Sequence, residues 1–210
     1  MTTLRTISSG IRTSVSLLVI SAAVAACPAA PASTLDNLQA AYNGESNAHA
    51  RYLAFANQAD KEGYGAVASL FRAAAQAEKV HALNHAAVIE EMDAVPKADL
   101  KSPAIKSTRE NLEEAIKGET YERDTMYPDF LKQARIERNT RAVRTLNLAK
   151  SAESEHATLY AAALASLETL KGSKSVTHYV CPVCGFTARE TSFGECPSCF
   201  TSKNDFEKVA

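Results

Sequence analysis

The sequence predicts an all-α fold, a four-helix bundle, with a small metal-bound ribbon at its C-terminal end. Three observations carry this expectation. Apolar residues recur at alternating spacings of three and four through residues 33–172, the period of helices with one buried face. The composition is rich in Ala, Leu and Glu, with only 8 Gly in 210 residues, which favours helix. Four cysteines stand as two Cys-x-x-Cys pairs within residues 178–210. Hydrophobic residues at 46% and charged residues at 22% exclude a disordered or collagen-like chain. A net charge of −1 leaves no basic excess for a phosphate backbone, so nucleic acid is not an expected partner.

The first helix carries Leu35, Leu38, Tyr42, Glu45, His49, Tyr52, Ala56 and Ala59 on its stripe and stops at Gly63-Tyr64-Gly65. The second carries Val67, Phe71, Ala74, Glu78, His81, His85, Val88 and Met92 and ends before Pro96. A linker from Pro96 to Lys106 is long enough to cross from one end of a bundle to the other. Ser107-Thr108-Arg109-Glu110 reads as a capping box that opens the third helix. That helix carries Leu112, Ala115, Glu119, Glu122 and Met126, with a kink expected at Pro128. The fourth begins near Asn139 and carries Ala142, Leu146, Ala149, Glu153, His156, Tyr160, Ala163, Leu167 and Leu170, with Gly172 where a C-terminal cap belongs.

Ahead of the bundle, no acidic residue precedes Asp36. Arg5 and Arg12 lead into an apolar run from Val15 to Ala26 that ends in small residues, the pattern of a secretory signal. The run is too short to remain as a membrane span. Residues 1–26 are therefore expected to be removed, which leaves a net charge of −3. Val24-Ala25-Ala26-Cys27 reads as a bacterial lipobox with Cys27 as lipid anchor, or as plain cleavage nearby. The expected location is exported, either periplasmic or held at a membrane as a lipoprotein.

The anomaly lies in the stripes themselves. Glu45, Glu78, Glu119, Glu122 and Glu153 occupy positions that should face the core, as do His81 and His156. Buried unpaired carboxylates are very costly and would repel one another, so a shared cation is required. The spacing repeats. Glu45 precedes Glu78-x-x-His81 by 33 residues, and Glu119 precedes Glu153-x-x-His156 by 34. Residues three apart share a helix face, so each Glu-x-x-His can grip one metal ion. Two lone glutamates with two such motifs form the constellation of di-iron and di-manganese carboxylate bundles.

After Gly172 a short polar linker reaches Thr177, and a 178–210 segment follows that is too small for a self-sufficient core. Cys181, Cys184, Cys196 and Cys199 have the spacing of a four-thiolate metal site rather than a disulfide framework. Four thiolates select zinc or iron. Spacing does not decide between them; a redox-capable bundle alongside favours iron.

From Leu35 to Val209 the chain resembles the rubrerythrins. The resemblance rests on Asn43-Gly44-Glu45-Ser46, Phe71-Arg72 leading to Glu78-Lys79-Val80-His81-Ala82, Gly118-Glu119-Thr120-Tyr121-Glu122 with Met126-Tyr127-Pro128, and Glu153-Ser154-Glu155-His156. Cys181-Pro182-Val183-Cys184-Gly185 and Cys196-Pro197-Ser198-Cys199 complete it. It implies a ferritin-like domain over residues 33–172, a rubredoxin-like domain over 178–210, and a non-haem di-iron peroxidase that protects against oxidative stress. Hydrogen peroxide is then the substrate. Electrons reach two bundle irons through an iron held by four cysteines. By the same resemblance Glu78 and Glu153 bridge, Glu45 and His81 serve one iron, and Glu119 and His156 the other. Glu122 exchanges with His81 as that iron changes oxidation state, and Tyr52 and Tyr127 hydrogen-bond the cluster's carboxylates. A homodimer is implied, in which one chain's rubredoxin-like module approaches the other's di-iron site.

The sequence also departs from the family pattern. Thr191 to Glu195 lacks an Ala-Pro before Cys196, and Phe200 stands where a small residue is usual. His49 and His85 lie on the stripes but match no ligand, and are expected to be hydrogen-bonded core or rim histidines. The export signal leaves the electron donor unidentified. Two other functions fit the same residues: a ferroxidase or iron-handling protein, and a zinc-ribbon scaffold without redox activity.

Overall fold

The computed structural model describes residues 32–210; the expected signal segment and Cys27 lie outside the described residues. Five α-helices build the bundle: α1 (Thr34–Lys61), α2 (Gly65–Glu91), α3 (Thr108–Tyr121), α4 (Tyr127–Ile136) and α5 (Thr140–Ala165). The caps explain three of their starts. Ser33 with Asp36, and Ser107 with Glu110, form reciprocal capping boxes at α1 and α3. At α5 the cap is Asn139, whose side chain accepts from the Ala142 N–H. Gly63 at φ +77° ends the first helix. A Cβ on Gly65 would lie 2.6 Å from the Ser173 carbonyl oxygen, so only glycine lets the segment after α5 tie back to the start of α2.

The third helix of the sequence reading is divided. A π-helical turn, Glu122–Met126, separates α3 from α4, and Pro128 sits in the first turn of α4, where its missing N–H is harmless. The expected kink is thus a wider turn placed before the proline. The extra residue moves the buried stripe from Met126 to Tyr127, which is fully buried.

The crossing connection is held along α1 by a ladder of amide side chains. Gln39 donates to the Val95 carbonyl and accepts from the Lys97 N–H. Asn43 accepts from the Asp99 N–H, and Asn47 donates to the Asp99 carbonyl and accepts from the Lys101 N–H. Three residues spaced by four share one helix face and so supply the irregular strap with the partners it lacks.

Two apolar cores fill the bundle. One gathers Tyr52, Phe55, Phe71, Leu112 and Tyr160; the other gathers Leu38, Ile89, Tyr127, Leu131 and Leu146. On each long helix a buried glutamate falls between its contributions to the two, as Glu45 does between Ala41 and Ala48. The carboxylates therefore form a polar layer with a hydrophobic plug on either side.

The C-terminal ribbon is a three-stranded antiparallel sheet in the order β2 (Thr187–Ala188), β1 (His178–Val180), β3 (Glu207–Val209). It belongs to the same compact unit as the bundle. Val180 packs with Ala73 and Ala77 of α2, and Leu148 of α5 packs against the cysteine cluster.

Candidate metal centres

Glu45, Glu78, His81 and Glu153 present ligand atoms that all lie within 4.8 Å of one another; so do Glu78, Glu119, Glu153 and His156. Glu78 and Glu153 belong to both groups. His81 Nδ1 is 2.9 Å from Glu78 and 3.0 Å from Glu153. His156 Nδ1 is 3.0 Å from Glu153, 3.5 Å from Glu78 and 3.6 Å from Glu119. All six side chains are buried. Oxygens of Glu45, Glu78, Glu119 and Glu153, together with His156 Nδ1, find no hydrogen-bond partner. Buried acceptors converging without donors are what a pair of cations would satisfy, and carboxylate with imidazole suits first-row metals such as iron.

The electrostatics of the bare ligands point the same way. Burial, then the charges of Glu78 and Glu153, push the Glu119 carboxyl up to about 8. Burial, followed by Glu78 and other carboxylates, raises Glu45 well above its usual range. Burial would lower His81, but Glu153 and Glu78 override it and raise the ring to about 10. Burial opposes ionisation of Glu78 too, yet His156 and His81 beside it pull that carboxyl below its ordinary value. Protons thus balance charge that a metal pair would neutralise.

Tyrosines brace the lone glutamates crosswise. Tyr52 on α1 donates to Glu119 on α3 at 2.5 Å, and Tyr127 on α4 donates to Glu45 on α1. Since the Tyr127 proton goes to Glu45, its oxygen accepts from His85 Nε2–H at 3.2 Å, and His85 Nδ1 accepts from the Thr145 hydroxyl at 3.1 Å. Burial, then His81, lowers His85 to about 3, so its ring is neutral as this chain of bonds requires. His85 is the hydrogen-bonded core histidine expected from the stripe. His49 Nδ1 lies 2.7 Å from the Ala75 carbonyl oxygen. Thr145 was invisible in the sequence because nothing local marks a threonine as a histidine's partner.

Glu122 belongs to neither ligand group. It stands at the start of the π turn and lines a cavity of about 330 Å³ with Arg51, Asn47, Lys101 and Glu114. Burial, then Glu119, raises its carboxyl well above the usual range, with Arg51 partly offsetting this.

In the ribbon, Cys181 Sγ is 3.5 Å from Cys199 Sγ, and Cys184 Sγ is 3.6 Å from Cys196 Sγ. Disulfides would need about 2.05 Å. A tetrahedron with metal–sulfur bonds of about 2.3 Å has edges of about 3.8 Å, so the four thiols fit one ion. Two pseudo-symmetric knuckles supply them. Gly185 (φ +75°) and Phe200 (φ +64°) close the knuckles by donating to the Cys181 and Cys196 carbonyls.

The first knuckle lies against the bundle. His81 Nε2 is 3.0 Å from the Cys184 carbonyl oxygen, and a Cβ on Gly185 would fall 2.3 Å from that nitrogen. Thr187 donates to the Gly185 carbonyl, so its oxygen accepts from His156 Nε2–H at 3.1 Å. The ribbon therefore holds the outer nitrogens of both imidazoles and turns both Nδ1 atoms towards the carboxylates. It does so within one chain. The second knuckle faces outward, with Phe200 74% exposed.

A sequence model described as rubrerythrin matches residues 36–164. Nigerythrin of Nitratidesulfovibrio vulgaris is 40% identical over 184 residues, covering 87% of this chain and 90% of that protein. Rubrerythrin-2 of Clostridium acetobutylicum is 38% identical over 178 residues, covering 84% and 96%. Among solved structures, fully reduced, all-ferrous nigerythrin superimposes with a TM-score of 0.79 at 37% identity, covering 88% of this chain and 91% of that one.

Proposed function

Because this chain belongs to the rubrerythrin family, we propose that it is a di-iron peroxidase that reduces hydrogen peroxide to water with two electrons relayed singly through a four-cysteine iron. Iron held by the bundle carboxylates and histidines would supply the electron pair needed to split the O–O bond, and iron held by the four cysteines would supply electrons singly to restore it. Two protons complete the balance, giving two waters per peroxide.

The chain's own residues have distinct tasks in this reading. Glu78 and Glu153 would serve both irons, since each lies in both ligand groups. Glu45 with His81, and Glu119 with His156, complete the two positions. Tyr52 and Tyr127 fix the lone glutamates by their phenolic O–H groups. The cavity beside Arg51 and Glu122 admits a small polar substrate from the solvent. His81 lies in a ligand group and Glu122 outside both, and in this reading Glu122 is the carboxylate that would exchange with His81 as that iron changes oxidation state.

The observation that carries this reading is the 3.0 Å contact between the Cys184 carbonyl and His81, which joins the cysteine site to a bundle ligand. A ferroxidase or a zinc scaffold has no use for that connection. Stopped-flow mixing of the fully reduced, iron-loaded protein is the test. Rapid return of the red ferric four-cysteine chromophore with hydrogen peroxide, and a much slower return with oxygen, is expected. No reaction with peroxide would defeat the peroxidase reading, and an iron-loaded protein that stays colourless would favour zinc.

A further inference from the structure

The two knuckles of the ribbon differ in one place that bears on electron transfer. Each follows the same plan: a first cysteine, a second cysteine three residues later, a left-handed residue, and then a residue whose carbonyl accepts from the first cysteine's N–H. Phe186 fills the last place in the inner knuckle, accepting from the Cys181 N–H at 2.9 Å. Thr201 fills it in the outer one, accepting from the Cys196 N–H at 2.7 Å. Phe186 packs into the cysteine cluster with an apolar ring. Thr201 instead brings its Oγ1 to 3.1 Å from Cys199 Sγ.

The direction of that bond follows from chemistry. A metal-bound thiolate has no proton, so the hydroxyl must donate. Backbone N–H groups of Val183 and Cys184 lie near the Cys181 sulfur, that of Phe186 near the Cys184 sulfur, and those of Ser198 and Cys199 near the Cys196 sulfur. The Thr201 contact is a side-chain addition to that backbone pattern, and it falls on the knuckle that faces solvent. The left-handed backbone at Phe200 makes it possible by folding the chain back over Cys199.

We propose that Thr201 tunes the four-cysteine iron by donating its hydroxyl hydrogen bond to the Cys199 sulfur, which raises the reduction potential of that iron. A donor at sulfur favours the state with more negative charge on the thiolates, and that is the ferrous one. The consequence for the chain is a relay that accepts an electron more readily from outside. This inference rests on the proposed iron at the four cysteines.

The test is a redox titration of the full chain with iron at all sites, followed at the visible bands of the ferric four-cysteine centre. Thr201→Val keeps the branched shape and the backbone carbonyl but removes the donor. At a fixed poise near the midpoint it should shift the ferrous-to-ferric ratio about tenfold towards ferric, about 59 mV for one electron. Thr201→Ser restores the donor and should stay within twofold of the parent. A Thr201→Val ratio within twofold of the parent, with its iron retained, would overturn the proposal while leaving the iron reading intact. Absence of the ferric bands from the iron-loaded parent would overturn both. A Thr201→Ser protein shifted as far as Thr201→Val would show that packing rather than the hydroxyl sets the potential, and would also overturn it.

Discussion

The first helix pair and the second give the bundle the same three side chains, a lone glutamate and a Glu-x-x-His, yet they are not equivalent. Three residues after Glu45 stands Ala48, buried in an apolar core; three residues after Glu119 stands Glu122, on a cavity wall. Tyr52 follows Glu45 by seven residues, whereas Tyr127 follows Glu119 by eight. The π turn absorbs the additional residue. The first helix is one unbroken span from Thr34 to Lys61, and its counterpart is split in two. The symmetric part of the repeat builds a cage for two cations, and Glu122, where the first half has an alanine, sets a further carboxylate beside it at the start of the π turn. π turns recur at functional sites, and here the turn begins at Glu122 and brings Tyr127, one residue later than strict repetition would give, onto the buried stripe.

The harshest way to break this comparison is to remove what the two halves share. Glu78→Ala deletes a carboxylate common to both ligand groups, so neither position retains its set. Iron analysis after anaerobic reconstitution should show the bundle irons gone and the four-cysteine iron kept, since the two sites have no ligand in common. Retention of one bundle iron would mean that each half holds its metal alone and that Glu78 does not bridge.

Glu122→Ala addresses what the halves do not share. Glu45, His81, Glu119, His156 and both bridging candidates remain, so iron content should stay near normal. Turnover with hydrogen peroxide should fall by about 10²-fold, the scale for losing one charge-stabilising group. Stopped-flow oxidation of the reduced variant measures it. A rate equal to that of the parent would remove Glu122 from the mechanism.

Much of this asymmetry could be read before the fold was known, but not its cause. The glutamates and histidines betrayed themselves because they sat on apolar stripes, and the capping boxes at Ser33 and Ser107 follow from local rules. The π turn did not show, because a single turn of slightly longer period leaves no statistical trace; Met126 was expected in the core, and Tyr127 takes that place. The ribbon's seat on its own bundle was also hidden. Gly185 reads locally as a left-handed turn, and only the His81 ring against it explains why nothing larger fits. The Gln39, Asn43 and Asn47 ladder is legible in hindsight as three amides on one face, but their partners are backbone groups with no sequence signature.

The crosswise tyrosines offer the finest measure of how far the halves differ. Each phenol serves one carboxylate, so replacing either with phenylalanine leaves a buried acceptor short of a donor, at about 1–3 kcal/mol. The surroundings separate them. Tyr52 has the Arg51 guanidinium 5.3 Å from its ring centre and the Tyr160 ring edge-on at 5.6 Å, and phenylalanine keeps both contacts. Tyr127 also accepts from His85, so Tyr127→Phe leaves the His85 Nε2–H unpaired and breaks the chain running to Thr145. The second loss adds about 1 kcal/mol for a neutral hydrogen bond. Tyr127→Phe should therefore melt about 2–4 °C below Tyr52→Phe when both carry the same iron. Scanning calorimetry of the two variants at matched iron content makes the comparison. Equal midpoints would mean that the His85 link contributes nothing to stability, and a lower midpoint for Tyr52→Phe would place the stronger brace on the unbroken helix.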